Sequence, residues 1–282
     1  MVLDEKYVIG ICTMGLRPTL DVFLEKISPV LAQHKESLRI LVCINGDGQM
    51  DFSSYPALQV VREPRLGIAN ARNRILQELA ADENLIFIDD DEFPGDDWFA
   101  NLVASHKRYP QALIAGPVRE VTPAGDVVTD SKIRPIVQVP DGAKRKTAAT
   151  NNLLIPAAVI NSGFFYFDLY FNFGGSDSDL TMRLGNHGYE IRWAADAVMY
   201  EVEDPDREDV EWAYRRDRRN AAIYSLVIKR NSRFGFMFLY FVKKVLQVGV
   251  YSVLQFAGKQ YKHKYELCKI GLATLIAGRK ST

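Results

Sequence analysis

An apolar run, Leu85-Ile86-Phe87-Ile88, passes without a break into four acids, Asp89-Asp90-Asp91-Glu92. A short continuous apolar run reads as a strand buried on both faces, the habit of parallel sheets covered by helices. The carboxylates then lie where the chain leaves the sheet. Like charges this close repel, and partial burial raises the penalty. A cation neutralises such a cluster; a solvated acidic turn is the alternative. If strand geometry continues through the acids, Asp89 and Asp91 project to one side and Asp90 to the other. Hard oxygen donors on one face suit Mg²⁺ or Mn²⁺.

The surrounding pattern supports that placement. Tyr7 to Cys12 reads as a first strand, Leu38 to Ile44 as a second and Leu58 to Val61 as a third. Leu20, Phe23, Leu24, Ile27 and Leu31 follow Pro18-Thr19 at helical spacing, and Ser28-Pro29 is expected to kink or end that helix. Ile68, Ala71, Ile75, Leu76 and Leu79 mark another helix. Alternating strands and helices predict an α/β fold with a mostly parallel sheet. In such sheets ligands bind beyond the carboxyl ends of the strands, where Thr13, Asn45 and Asp89 converge.

Further on, short strands are expected at Ala112 to Ala115, Val118 to Val121, Leu153 to Ile155, Ile191 to Trp193 and Val198 to Val202. Lys132 to Arg145 reads as a basic loop, Leu180 to Leu184 as a short helix and Glu208 to Arg230 as a long charged one. The domain reading is 1–230 for the α/β body, its halves meeting near 110, and 231–282 for an amphipathic helical tail. In that tail Lys243-Lys244 interrupts an apolar stretch. Two lysines at about 2.5–3.5 kcal/mol each at a bilayer centre argue against a span. A surface element whose flanking Arg230, Arg233, Lys259, Lys262, His263 and Lys264 meet anionic lipid fits better; packing on the body or on a second subunit is the alternative. With 35 basic and 35 acidic residues the formal charge is +0, so nothing global suggests nucleic acid. Cys12, Cys43 and Cys268 have no metal-like spacing and read as reduced core residues. The polar amino terminus carries no signal-peptide pattern, which places the expectation in the cytoplasm, peripheral to the inner face of the membrane.

Five motifs in order carry a family likeness: Ile11-Cys12-Thr13 through Arg17-Pro18, Gly67 to Asn73, Phe87 to Pro94 with Trp98, Thr150-Asn151-Asn152, and Gly174-Gly175-Ser176-Asp177-Ser178-Asp179-Leu180. The chain resembles the family-2 glycosyltransferases of GT-A fold, and within them the bacterial succinoglycan-type exopolysaccharide enzymes. The resemblance implies inverting transfer of a hexose, most simply glucose from UDP-glucose, with Mg²⁺ or Mn²⁺, to a saccharide or lipid-linked saccharide. It implies Asp91 as metal ligand and Asp89 on the metal or the donor's ribose. Asp90 is either donor-facing or a structural hydrogen-bond acceptor. Thr13, Arg17, Asn45, Asp47, Arg65 and Arg72 fall on the donor side. Asp177 takes the position of the base; helix capping is the competing role for Asp177 and Asp179. Asn151, Asn152, Gly175, Ser176 and Asp179 fall on the acceptor side.

The chain departs from the family pattern at two places. Ser176 stands where Glu is usual, and Ile44 where an Asp usually precedes the Asn-Gly turn, which shifts base recognition to Asn45, Asp47 or backbone groups. No His accompanies Tyr200, Glu201, Glu203, Asp204, Pro205 and Arg207, so Glu201 or Glu203 becomes the third-ligand candidate. Arg215, Arg216, Arg218 and Arg219, near Trp212, form either a pyrophosphate-binding face or a solvated one. The alternatives of another class are a non-catalytic nucleotide-sugar or glycan-binding module and a Mg²⁺-dependent nucleotidyltransferase.

Overall fold

The computed structural model describes residues 3–15, 18–47, 52–131, 136–204, 210–232 and 234–277. The chain forms two compact units, Met1–Glu203 and Asp204–Thr282. The expected boundary after residue 230 falls inside the second unit, because the long charged helix packs with the tail helices.

The first unit is built on an eight-stranded sheet. Its parallel half comprises β1 (Lys6–Thr13), β2 (Leu38–Asn45), β3 (Leu58–Glu63) and β4 (Glu83–Asp89), in the order β3-β2-β1-β4. Beyond β4 lies β9 (Asn152–Ile155), antiparallel to it, then β6 (Leu113–Ala115), β10 (Ile191–Trp193) and the two-residue β8 (Lys144–Arg145). The basic loop therefore ends as an edge strand on β10. A small second sheet orders β5 (Glu92–Pro94), β11 (Met199–Val202) and β7 (Val118–Val121).

Both faces of the large sheet are buried, which explains the unbroken apolar runs. Along β1, Tyr7, Ile9 and Ile11 enter one core with Phe23 and Ile27 of α1 (Pro18–Gln33) and Trp98, Phe99 and Leu102 of α3 (Trp98–Arg108). Along β4, Leu85 and Phe87 enter the other core with Ala71 and Ile75 of α2 (Ile68–Leu76) and Leu180 and Leu184 of α5 (Ser176–Asn186). A one-turn α4 (Ala157–Ile160) follows β9. Each large apolar side chain fully buried this way stabilises by about 1.5–3 kcal/mol. Helix α3 had not been anticipated as an element; only its Trp98 stood out.

The helix does not end at Pro29: α1 continues to Gln33. Proline removes the N–H that would bond the carbonyl four residues back. That carbonyl, on Glu25, accepts instead from Ser28 Oγ at 2.9 Å. Cys12 and Cys43 face each other across β1 and β2 as free thiols. Burial pushes both thiols up, Cys43 to about 12, so neither is a reactive thiolate.

Candidate active site

The strand order reverses between β1 and β4, and such a switch point opens a crevice at the carboxyl ends of the strands. Cys12 of β1 lies in register with Asp89, the last residue of β4. The chain then turns at Asp90 and Asp91 before Glu92 enters β5. The acids therefore do not extend the strand, and the expected alternation of their side chains stops at Asp89. Thr13 Oγ1, at the end of β1, bonds Asp90 Oδ2 at 2.6 Å, and Thr19 Oγ1 donates to the Asp90 carbonyl at 2.9 Å. Asp90 thus pins the turn across the crevice. Asp89, Asp90 and Asp91 are each half-buried.

The antiparallel run of β9 brings its first residues to the same edge, with Asn152 opposite Ile88. Asn151 Nδ2 donates to Glu92 Oε1 at 2.8 Å. Asn152 is 1% exposed; its Oδ1 accepts from Trp98 Nε1 at 3.0 Å, and its Nδ2 donates to the carbonyls of Ala197 and Pro117. Its amide is consumed by protein partners, so Asn152 braces the edge and is not placed to touch an acceptor. Replacing it by alanine strands an indole N–H and the Ala197 carbonyl, while the Pro117 carbonyl keeps its bond from Met199 N, and unsatisfied buried groups cost about 1–3 kcal/mol each. Asn152→Ala is expected to lower unfolding stability by about 3 kcal/mol in a denaturant titration. A folded variant of unchanged midpoint with weakened acceptor binding would contradict the brace.

Helix α2 begins at the same edge. Gly67, at φ 123°, precedes it, and a Cβ there would lie 2.1 Å from the Asn172 side chain. Asn172 acts as a cap from a distant part of the chain: its Oδ1 accepts from Asn70 N at 3.1 Å, and its Nδ2 donates to the Leu66 carbonyl at 2.9 Å. Asn45 holds the loop from the other side, donating to the carbonyls of Glu63 and Arg65 and accepting from Gly67 N at 2.8 Å. Asn45 is buried, while Asp47 is exposed beside it. Arg65 grips Glu63 through its Nε and Nη2 at 2.8 and 3.1 Å, and this contact holds the Glu63 carboxyl below its usual range. Arg17 lies outside the described residues.

Arg72 ties this half to the next. It is 9% exposed, its guanidinium lies over the Phe167 ring, and its Nη1 donates to Ser176 Oγ at 2.9 Å. It lies close enough to the Cys12 thiol to oppose the upward push on that group, as Asp89 and Asp90 lie close enough to add to it. Arg72 therefore ties α2 to the start of α5. Gly175, at φ 83°, makes the left-handed turn that starts α5, and Ser176 is 1% exposed. Asp179 is buried and paired with Arg183 one turn on. Asp177 is half-buried; its Oδ1 accepts from Ser178 N at 2.7 Å. Of the five residues expected on the acceptor side, Asn151, Asn152, Ser176 and Asp179 are buried and shape the site from within.

Two features had escaped the sequence. Asn172 gives no local signal, since its partners lie about 100 residues away. The segment between Phe164 and Phe173 holds a row of exposed rings, with Tyr166 48%, Tyr170 56% and Phe173 82% exposed. Apolar surface so displayed beside a crevice commonly marks a binding surface.

Among the described residues no group of three His, Cys, Asp or Glu side chains is arranged to hold a metal. Glu201 is 3% exposed within β11, in register with Glu92 and Glu120. A preformed cage therefore does not fit. A hard cation bound with substrate phosphates needs only one or two carboxylates, and the half-buried Asp89 and Asp91 fit that demand. Pro205 and Arg207 lie outside the described residues.

This sheet order, with an acidic turn at its switch point, defines an α/β fold of the GT-A kind. The glycosyl transferase family 2 profile matches residues 26–166, half of the 282, and the chain belongs to that family. Similar solved structures include GalNAc-T7 with UDP, GalNAc and Mn²⁺, at TM-score 0.57 and 10% identity over 80% of this chain and 52% of that one. S. aureus TarS matches at TM-score 0.51 and 15% identity over 82% of this chain and 44% of that one. The chain thus spans about half the length of these structures, and the likeness is one of fold. No curated protein matches.

Proposed function

We propose that this chain is an inverting glycosyltransferase that moves a hexose, most simply glucose, from a nucleoside diphosphate donor, most simply UDP-linked, to a saccharide or lipid-linked saccharide. The observation that carries the proposal is the acidic turn at the β1/β4 switch point, pinned to the end of β1, with Arg72 of the neighbouring α2 tied to Ser176 at the start of α5. On this reading two carboxylate sets serve one crevice, one for a departing diphosphate and one for an attacking hydroxyl.

Asp91 and Asp89 would hold Mg²⁺ or Mn²⁺, which when bound supplies Lewis-acid stabilisation of the leaving group. Thr13 and Asp90 keep the acidic turn closed over the end of β1. Asp47 and Arg65, exposed at the end of β2 and after β3, are the donor-side groups open to a nucleoside. Asp177 takes the proton of the acceptor hydroxyl as that oxygen forms its bond to the anomeric carbon. The bond from that carbon to the diphosphate oxygen breaks, and the diphosphate leaves with the electron pair. Attack from the face opposite the leaving group turns an α-linked donor into a β-linked product. Ser176 and Asp179 hold the helix start that aims Asp177. The exposed rings of Tyr166, Tyr170 and Phe173 offer apolar faces against which a sugar ring can lie.

A thermal-shift screen of nucleotide sugars with and without Mn²⁺ tests the reading through binding linkage. At a hundredfold excess over Kd, a ligand stabilises by about 2.7 kcal/mol. Selective stabilisation by one sugar nucleotide, dependent on the cation, is expected. Equal, cation-independent responses to all of them, with no transfer product, would remove it.

A further inference from the structure

The second unit consists of α6 (Val210–Asn231), α7 (Phe234–Leu254) and α8 (Lys259–Ile276). An amphipathic helix in a soluble protein turns its apolar stripe inward. Helix α7 does the reverse. Its polar side chains face its neighbours: Tyr240 Oη lies 3.5 Å from Ser225 Oγ of α6, and Gln247 Oε1 accepts from Cys268 Sγ of α8 at 3.8 Å. Lys244 packs its stem against Gly271 of α8 and its ammonium over the Tyr240 ring. The opposite side is apolar and open: Leu239 is 67% exposed, Leu246 65%, Val250 57% and Val253 72%. These positions recur three, four and seven apart, so they form one stripe.

The two lysines that argue against a span thus divide. Lys244 belongs to the inward polar face, and only Lys243 lies with the exposed side. The rim has a single sign. From Phe234 to Tyr265 there are five lysines and no acid, and Lys243, Lys259, Lys262 and Lys264 are exposed.

We propose that α7 lies in the plane of an anionic lipid surface, its Leu239–Val253 stripe in the acyl boundary and the lysine rim on the headgroups. An apolar stripe in a stretch whose only full charges are cationic matches that chemistry. A protein partner of mixed charge would not require it. Lying in the plane follows from the inward face. At about 1.5 Å per residue α7 is long enough to span, and its length and composition alone would allow it. Its polar side, however, is packed on α8, whose Lys262, Lys264, Glu266 and Lys269 do not enter a hydrocarbon layer. Lys243 reaches the headgroups along its aliphatic stem.

Flotation of the full chain with phosphatidylcholine vesicles, with and without phosphatidylglycerol, tests this without assuming any enzymatic activity. Floating with the anionic vesicles, weakening in high salt and release by alkaline carbonate are expected. Leu246→Asp with Val250→Asp should reduce flotation about tenfold or more, since the stripe supplies the apolar part of the binding. Both side chains are exposed, so the melting temperature should not move. Failure of the wild type to float on anionic vesicles overturns the proposal, as does retention through carbonate, which marks a span. A lipid-free dimer in light scattering, dispersed by the same two substitutions, would assign the stripe to a second copy instead.

Discussion

Asp177→Asn is expected to lower kcat by about 10²–10⁴ while leaving the donor's dissociation constant unchanged, the range typical of a lost general base. That is about 3–5.5 kcal/mol of barrier at 1.36 kcal/mol per decade. The substitution preserves shape. An amide oxygen can still accept from Ser178 N, so the first turn of α5 should persist. Helix capping alone predicts a different result, turnover and stability both near wild type, since Asn caps as well as Asp. The two roles therefore separate in the single-turnover rate, with the thermal midpoint as control. A variant that transfers sugar at the wild-type rate would exclude Asp177 as the base.

Asp91→Ala should reduce turnover by about a thousandfold, because the several kcal/mol supplied by a divalent cation at the leaving group go with it. The comparison with chelation is more telling than the loss alone. Removing divalent cations from the wild type should produce the same fall, and chelation should leave the variant unchanged. Two perturbations that act through one interaction do not add. Additive losses would mean that the cation is held elsewhere and that Asp91 only supports the turn. Asp90 offers a contrast, since its carboxylate is bonded to Thr13 and its carbonyl to Thr19. Asp90→Asn can keep a bond to Thr13 Oγ1 and should retain cation dependence.

Much of the fold was legible in local pattern. The Leu85–Ile88 run announced a doubly buried strand, and β4 is one, with alternate residues in two cores. The convergence of Thr13, Asn45 and Asp89 followed from three strand ends and a parallel sheet. That α1 runs on past Pro29 was not legible, because the freed carbonyl is satisfied by a hydroxyl, which hydrophobic periodicity does not register. The site was legible as a list of polar residues but not as a set of roles. Asn45, Asn152 and Ser176 look like ligand contacts in the sequence, and each is buried with its bonds spent on protein. Asn172 looked like nothing, yet it caps α2.

By itself the sequence determined the alternation of strand and helix, the edge where the carboxylates gather, and the presence of an apolar tail with a cationic border. These are local properties, written in periods of two and 3.6 residues and in unbroken runs. Only the tertiary structure decided which polar groups brace and which stay half-open, and which side of α7 faces out. Those outcomes depend on partners brought together by folding, such as Arg72 and Ser176, 104 residues apart. A hydrogen bond or a buried face exists only once both halves are in place, so no local pattern can carry it.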